Sequence, residues 1–202
     1  MPRRKPWEVH SDLSDDRLIV VGKLLAEVRE EALEDFNPER GDGAWGHGCR
    51  VYERSCARLV QAAESFEWLE VIESSLHFVF AVGRVPIRFY HGVPESPRQN
   101  SLWRTALELE QQQQAFEFLD RDDDGWFWRV AVVSDTDGRV AEVVMFQARE
   151  SGAIRYQWSI PLDEPVSVLA GLGSISEPVE LSPAEVGVLL GDEEIRDEAG
   201  DR

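Results

Sequence analysis

The chain has 202 residues, 43% of them hydrophobic, and a formal net charge of −18 at pH 7. This composition excludes global disorder, and the length fits one domain, with or without a tail. Binding to phosphate backbones requires clustered Lys and Arg, so the charge argues against direct nucleic-acid binding and favours a basic protein as partner. Seven Trp predict a large aromatic area in the core or at an interface.

Cysteine usage and hydropathy predict a cytoplasmic protein. A secreted disulfide scaffold would carry more cysteines than Cys49 and Cys56. These two lie two helical turns apart, too far to bridge each other. No apolar run reaches the roughly 18 residues of a membrane span, and no apolar stretch follows the charged N-terminus as it would in a signal peptide. We therefore expect reduced thiols and no association with a membrane.

The first third of the sequence predicts two amphipathic helices. Ser14 can cap the first, whose apolar residues recur at helical spacing over 18–36, and Asn37-Pro38 ends it. A second apolar face runs from Trp45 to Ala63 in alternating steps of four and three residues. The two helices are expected to pair antiparallel.

A stripe of arginines marks the outer face of the second helix. Arg50, Arg54 and Arg58 lie one turn apart and form the densest positive feature of the acidic chain. Paired with the first helix, they would face its carboxylates at Glu27, Glu30, Glu31 and Glu34. Left unpaired, they would offer a partner-binding surface, so all three are binding candidates.

Alternating apolar residues predict a β-hairpin over 76–91. Gly83 and Arg84 form its two-residue turn, and Gly83 supplies the positive φ that such a turn needs. If Val82 pairs with Val85, one face of the hairpin is wholly apolar and belongs to the core: Phe78, Phe80, Val82, Val85, Ile87 and Phe89.

The opposite face of the hairpin is expected to carry, near Glu70 or Glu73, a second set of side chains: His77, Val79, Arg88 and Tyr90. Side chains at neighbouring cross-strand positions can converge on one group. Arg offers a planar fork for a carboxylate or phosphate, and His can change its charge near neutral pH. We therefore treat His77, Arg88 and Tyr90 as a candidate site for a ligand or partner. The alternative is a polar sheet surface covered by a loop.

The second half of the chain predicts a helix followed by a meander. A loop at 92–100 leads into a third helix over 101–119. Tight turns then join three strands. These strands are expected at 126–133, 140–149 and 154–160.

Periodicity fades after residue 161, where the composition turns acidic. Residues 177–202 contain nine acidic residues against two arginines. We therefore predict one α+β domain over 8–165, in which helices pack on one face of a single antiparallel sheet of five strands. Residues 166–202 are expected to form an acidic, largely disordered tail.

Two motif-like stretches favour a loop over a binding site. Residues 41–46 match the letters of a glycine-rich phosphate loop, but a helix precedes them where a strand is required. Residues 120–125 begin like a calcium loop, yet its twelfth position, which needs a bidentate Glu, is Ala131. Cys49 and Cys56 have no His or Cys partner at zinc spacing. The sequence predicts no cofactor, no metal site and no catalytic residue.

Several segments resemble a group of uncharacterised bacterial proteins of similar length. They are GCRVY at 48–52, HFVF through RFYHG at 77–92, and WSIPL at 158–162. The resemblance covers most of the chain up to about Pro165 and brings no catalytic residues. It implies a bacterial protein from prophage-like or toxin–antitoxin-like gene neighbourhoods.

These observations favour a non-enzymatic protein–protein interaction module. Such a module would act in a bacterial cell as an accessory or neutralising partner, of the antitoxin or defence kind that the resemblance implies. Two other classes stay open. One is a DNA-mimicking inhibitor whose surface carboxylates take the place of phosphates. The other is a small-ligand binder or enzyme built on the face of His77, Arg88 and Tyr90.

Overall fold

A single six-stranded sheet organises the part of the chain that the computed structural model describes, which is residues 4–97, 99–116 and 125–163. Its strands lie side by side in chain order: β1 (Leu69–Glu73), β2 (Val79–Val82), β3 (Val85–His91), β4 (Phe127–Ser134), β5 (Val140–Ala148) and β6 (Ile154–Ser159). Neighbouring strands are antiparallel, except that β3 and β4 are parallel. All of the described residues belong to one compact unit.

Four α-helices accompany the sheet in these described ranges: α1 (Pro6–Val9), α2 (Asp15–Glu34), α3 (Ala44–Ala63) and α4 (Ala106–Phe116). Short 3-10 turns at Pro38–Arg40 and Gln99–Ser101 precede α3 and α4. The structure therefore confirms the predicted α+β class, with its N-terminal helical pair, hairpin, third helix and three-stranded meander.

Two features of the sheet differ from the prediction. The segment Leu69–Glu73, which the prediction left outside the hairpin, is a strand that pairs with β2. The sheet is mixed because β3 and β4 run parallel. Residues 92–126 connect these two strands, and a crossover that is long enough to include a helix is what a parallel pair requires.

The apolar face of the hairpin lies in the main core, as predicted. Val82 pairs with Val85, Gly83 has a φ of +59°, and all six residues of the predicted face are buried. α2 contributes a run of buried aliphatic residues to the same core. α2 packs closely at Gly22, where an added Cβ would lie 2.7 Å from Cγ2 of Ile160.

A smaller core occupies the other face of the sheet. Tyr90, Phe127, Ala131 and Phe146 are buried there together with Leu102, which precedes α4. The prediction that the helices share one face is therefore wrong, because α2 and α3 cover the main core while α4 and the segment before it cover this second face. Because both faces are covered, β4 buries successive residues.

Two predictions fall outside the described residues, namely most of the calcium-like stretch at 120–125 and the acidic tail at 166–202. Among the helices of the described ranges, none combines the length and the apolarity that crossing a bilayer demands.

Candidate functional site

The arginine stripe of α3 is paired with carboxylates. With their N–O distances, the pairs are Arg58 with Glu31 (2.9 Å) and Glu27 (3.8 Å), Arg54 with Asp35 (2.6 Å), and Arg50 with Asp42 (3.3 Å). Glu27 and Glu31 belong to α2, so Arg58 faces the first helix as expected. Asp35 is the residue that follows α2, and Asp42 lies in the loop just before α3. The stripe thus fastens α3 to α2 and its following loop. Exposed ion pairs of this kind each add little to stability, because water and salt screen them.

Arg88 and Tyr90 share a face of β3, as predicted, but that face is covered. Each side chain is only 9% exposed. Arg88 Nη1 donates to the carbonyl oxygen of Trp103 at 2.6 Å, and the Tyr90 hydroxyl donates to the carbonyl oxygen of Val93 at 3.2 Å. The buried Nε of Arg88 has no hydrogen-bond partner among the described residues. The segment before α4 therefore occupies the place where a ligand of this face would lie.

A buried ion pair beside Arg88 escaped the sequence analysis. Arg129 is the neighbour of Arg88 in the parallel register of β3 and β4 and is fully buried. Its Nη1 and Nη2 donate to the two carboxylate oxygens of Glu108, which is also fully buried, at 2.5 and 3.3 Å. Backbone carbonyls of Ser101, Trp103 and Trp128 accept the remaining N–H groups. Burial lowers the pKa of Arg129, whereas Glu108 opposes that shift.

This network has a structural role. All five N–H donors of the Arg129 guanidinium find acceptors within the chain, which leaves no donor for a ligand. The pair ties Glu108 of α4 to the middle of the sheet. The sequence held one signal for it, a lone charged residue at position 129 in the otherwise apolar start of β4. Buried arginines need a carboxylate partner, but nothing in the pattern singled out Glu108 among the acids.

His77 does not lie on the strand face of Arg88 and Tyr90, although the charges of His77 and Arg88 both act on the carboxylate of Glu73 and help to lower its pKa. The prediction placed His77 on the hairpin face, but it lies in the turn before β2 and is exposed. Its backbone N–H donates to Oγ of Ser75 at 3.2 Å, which helps to shape this turn. The hairpin pairing begins only at Val79 and Phe80, so the alternation that governs strand side chains does not extend to His77.

The first turns of α3 expose a large apolar side chain. The predicted apolar face of this helix enters the main core from Tyr52 onward, but Trp45 lies beyond the core and is 84% exposed. Cys49 and Tyr52 follow Trp45 on the same helix face, with Tyr52 about 10 Å along the axis. Leu76, in the turn that Tyr52 contacts, is 86% exposed.

We call this region the α3 surface and define it by five residues: Trp45, Cys49, Tyr52, Leu76 and His77. Its centre is held in place. The Tyr52 hydroxyl donates to the carbonyl oxygen of Leu76 at 2.8 Å and accepts from the backbone N–H of Phe78 at 3.3 Å. The Tyr52 ring stacks on Phe89 of the core with centroids 5.4 Å apart. Burial raises the pKa of Tyr52 to about 12, so its hydroxyl remains a donor at neutral pH.

An acidic groove of about 560 Å³ runs beside α2 and reaches Val140 of β5 and Leu162. Four glutamates line it, at positions 27, 30, 31 and 34. Glu30 accepts from Arg139 Nη1 at 3.1 Å and from the backbone N–H of Val140 at 2.7 Å. Most of these carboxylates thus support contacts within the chain, while their charge adds to the negative field of the surface.

Comparison with protein-family models finds no family that matches the chain. Comparisons with curated proteins and with solved structures likewise give no match. The function therefore has to be argued from the residues themselves.

Proposed function

We propose that this protein is a non-enzymatic protein–protein interaction module that binds a basic protein partner through the α3 surface. The observation that carries the proposal is the exposure of Trp45 and Leu76, at 84% and 86%, beside Tyr52, which a hydrogen bond and ring stacking hold in place. When a partner covers large apolar side chains that project into water, the free energy falls, which favours binding.

The shape of the α3 surface favours a protein as the occupant. Trp45 and Leu76 project outward, whereas small-molecule sites are concave. Trp and Tyr are among the residue types that most often dominate the energetics of protein interfaces. Here Tyr52 follows Trp45 on the same helix face and contacts the carbonyl oxygen of Leu76. A complementary partner would offer an apolar pocket for Trp45.

Charge indicates the character of the partner. The net charge of −18 and the acidic groove beside α2 attract a basic protein and speed its association. Long-range attraction of this kind is screened by salt, so we expect the rate of association to fall as salt rises. The neutralising or accessory role in a bacterial cell rests on the resemblance of the three segments described above.

A capture experiment tests the proposal. The tagged protein is used at low salt to isolate partners from a bacterial lysate, with Trp45→Ser and Trp103→Ser as matched variants. Trp103 is also exposed, at 56%, but belongs to the segment before α4. We expect wild type and Trp103→Ser to capture the same basic protein in equal amounts. We expect Trp45→Ser to capture little or none of it. Equal capture by all three would contradict the proposal.

A second arm separates the DNA-mimic alternative. Duplex DNA is added to the captured complex at several salt concentrations. A mimic competes with DNA for the same basic surface of the partner. Two results together would therefore favour a DNA-mimicking inhibitor: DNA displaces the partner, and Trp45→Ser captures as much of the partner as wild type does.

A further inference from the structure

Two tryptophan rings form an open corner at the edge of the sheet. Trp7 of α1 and Trp158 of the edge strand β6 lie with their ring centroids 4.9 Å apart and their planes at 86°. Trp158 is buried in the main core, and Trp7 is partly buried against it. Because the two rings stand at right angles, they can flank one small group from two sides.

A β-bulge gives Trp158 its place in this corner. The register between β5 and β6 shifts by one residue next to the pair Met145–Trp158. Inside the shift, Tyr156 has a φ of +52°, which is strained for a bulky residue. Cross-strand partners share a face, so in the unshifted register Gln157 would lie opposite Met145 and Trp158 would point to the other face. The strained backbone thus puts Trp158 on the side of the sheet where Trp7 meets it.

The ammonium of Lys5 fills the corner. Lys5 immediately precedes α1, and its Nζ lies 5.7 Å from the centroid of each ring. The faces of Trp rings are negative and attract a cation that lies within about 6 Å. Lys5 is exposed, so the corner is reached from solvent. Its ammonium therefore marks a place where a cation fits against both rings.

Hydrogen bonds hold the backbone of Lys5 but not its side chain. The backbone N–H donates to Oε2 of Glu8 at 3.0 Å, and the carbonyl oxygen accepts from the backbone N–H of Glu8 at 3.0 Å. Within the described ranges, no carboxylate forms an ion pair with the Lys5 ammonium. The side chain can therefore turn out into water without breaking an ion pair.

We propose that the Trp7–Trp158 corner is a binding site for an alkylammonium group, and that Lys5 is an internal stand-in that the ligand displaces. An alkylammonium group suits the corner because its methyl or methylene groups pack on the rings while its charge meets their negative faces. The net charge of −18 draws such cations towards the protein. The site goes beyond the proposed function, since β6 and β1, the strand before Leu76 of the α3 surface, are opposite edges of the sheet.

Competition with Lys5 sets the size of the effect. A ligand binds only while the Lys5 side chain is outside the corner, so the apparent affinity of wild type is reduced by that fraction of time. We expect Lys5→Ala to bind at least about fivefold more tightly than wild type, which corresponds to a corner that Lys5 occupies for at least about 80% of the time. Loss of one ring should weaken binding about 2- to 30-fold, the range that one cation–π contact spans.

Titration of the full-length protein with small amines tests the site without any protein partner, so its outcome is independent of whether the proposed function holds. The probes are tetramethylammonium chloride and Nα-acetyl-lysine amide at constant ionic strength, with tert-butanol as a neutral molecule close in size to tetramethylammonium. NMR follows the indole N–H signals of Trp7 and Trp158. The proteins compared are wild type, Lys5→Ala and Lys5→Ala/Trp7→Leu. Arg4→Ala removes a neighbouring charge, and Lys5→Ala/Trp103→Leu removes an exposed Trp elsewhere, so both serve as controls.

We expect Lys5→Ala to bind at least one of the two amines saturably and more tightly than wild type, with no saturable binding of tert-butanol. Arg4→Ala should bind as wild type does, and Lys5→Ala/Trp103→Leu as Lys5→Ala does. Lys5→Ala/Trp7→Leu should bind more weakly than Lys5→Ala. The amine that binds more tightly distinguishes a quaternary ammonium ligand from an unmodified lysine side chain.

Four results would each overturn the proposal. The first is that neither amine binds Lys5→Ala saturably, and the second is that wild type and Lys5→Ala bind with equal affinity. The third is that tert-butanol binds as tightly as the amines. These three do not depend on Trp7→Leu and so decide the matter even when that variant does not fold. The fourth is equal affinity of Lys5→Ala and Lys5→Ala/Trp7→Leu.

Discussion

Removal of the Glu108 carboxylate should destabilise this protein more than any surface substitution. Glu108→Gln leaves the guanidinium of Arg129 fully buried and charged, with no carboxylate beside it. Breaking a buried ion pair from one side costs about 3–5 kcal/mol. For a domain of this size each kcal/mol lowers the melting temperature by roughly 2–4 °C, so we expect a fall of roughly 6–20 °C.

Urea unfolding followed by Trp fluorescence and circular dichroism measures the change in free energy of unfolding. A matched double variant, Arg129→Met/Glu108→Leu, replaces the pair by apolar side chains and should recover most of the loss, because neither buried group is then charged. A loss below about 1 kcal/mol for Glu108→Gln would refute the reasoning, since it would mean that water reaches Arg129.

Three further predictions concern stability. Arg58→Ala removes exposed bridges to α2 and should cost less than about 1 kcal/mol in urea unfolding; a larger loss would show that the pairs are not screened. Gly22→Ala places a Cβ 2.7 Å from Ile160 and should lower stability by about 1–3 kcal/mol, whereas an unchanged midpoint would contradict so close an approach. Burial lowers the pKa of His91 from 6.5 to about 4. The neutral imidazole therefore contributes its full stabilisation above pH 6.5, and this contribution is lost as the pH falls from 6.5 towards 4. Between pH 7.5 and 5.0 the free energy of unfolding of wild type should therefore fall by up to about 2 kcal/mol more than that of His91→Leu. Parallel pH profiles of the free energy of unfolding for the two proteins would exclude the effect.

Local patterns predicted most of the fold. The alternation around Gly83 placed the hairpin in its observed register, because a one-residue slip would expose Phe80 and Ile87. The direction of β4 relative to β3 and the position of α4 could not be read in this way. They depend on the path of the crossover and on the Arg129–Glu108 contact, which joins residues of different elements.

The candidate site was harder to predict than the fold. Arg88 and Tyr90 were placed on the correct face, but no pattern in the sequence indicates that the carbonyl of Trp103 covers Arg88. Trp45 continues the helical period of the buried α3 residues, and only the three-dimensional limit of the core leaves it exposed. Periodicity indicates which face of a helix is apolar, but the extent of the opposing layer decides how much of that face is buried.

The measurement that tests the central claim most directly is the affinity of the α3 surface for its captured partner. Isothermal titration of the purified partner compares wild type with Trp45→Ser and Trp103→Ser, and the melting temperature of each is recorded. The account predicts at least a 30-fold weaker affinity for Trp45→Ser at an unchanged melting temperature, as loss of an interface hot spot of about 2 kcal/mol requires, and wild-type affinity for Trp103→Ser. Equal affinities for wild type and Trp45→Ser would contradict it.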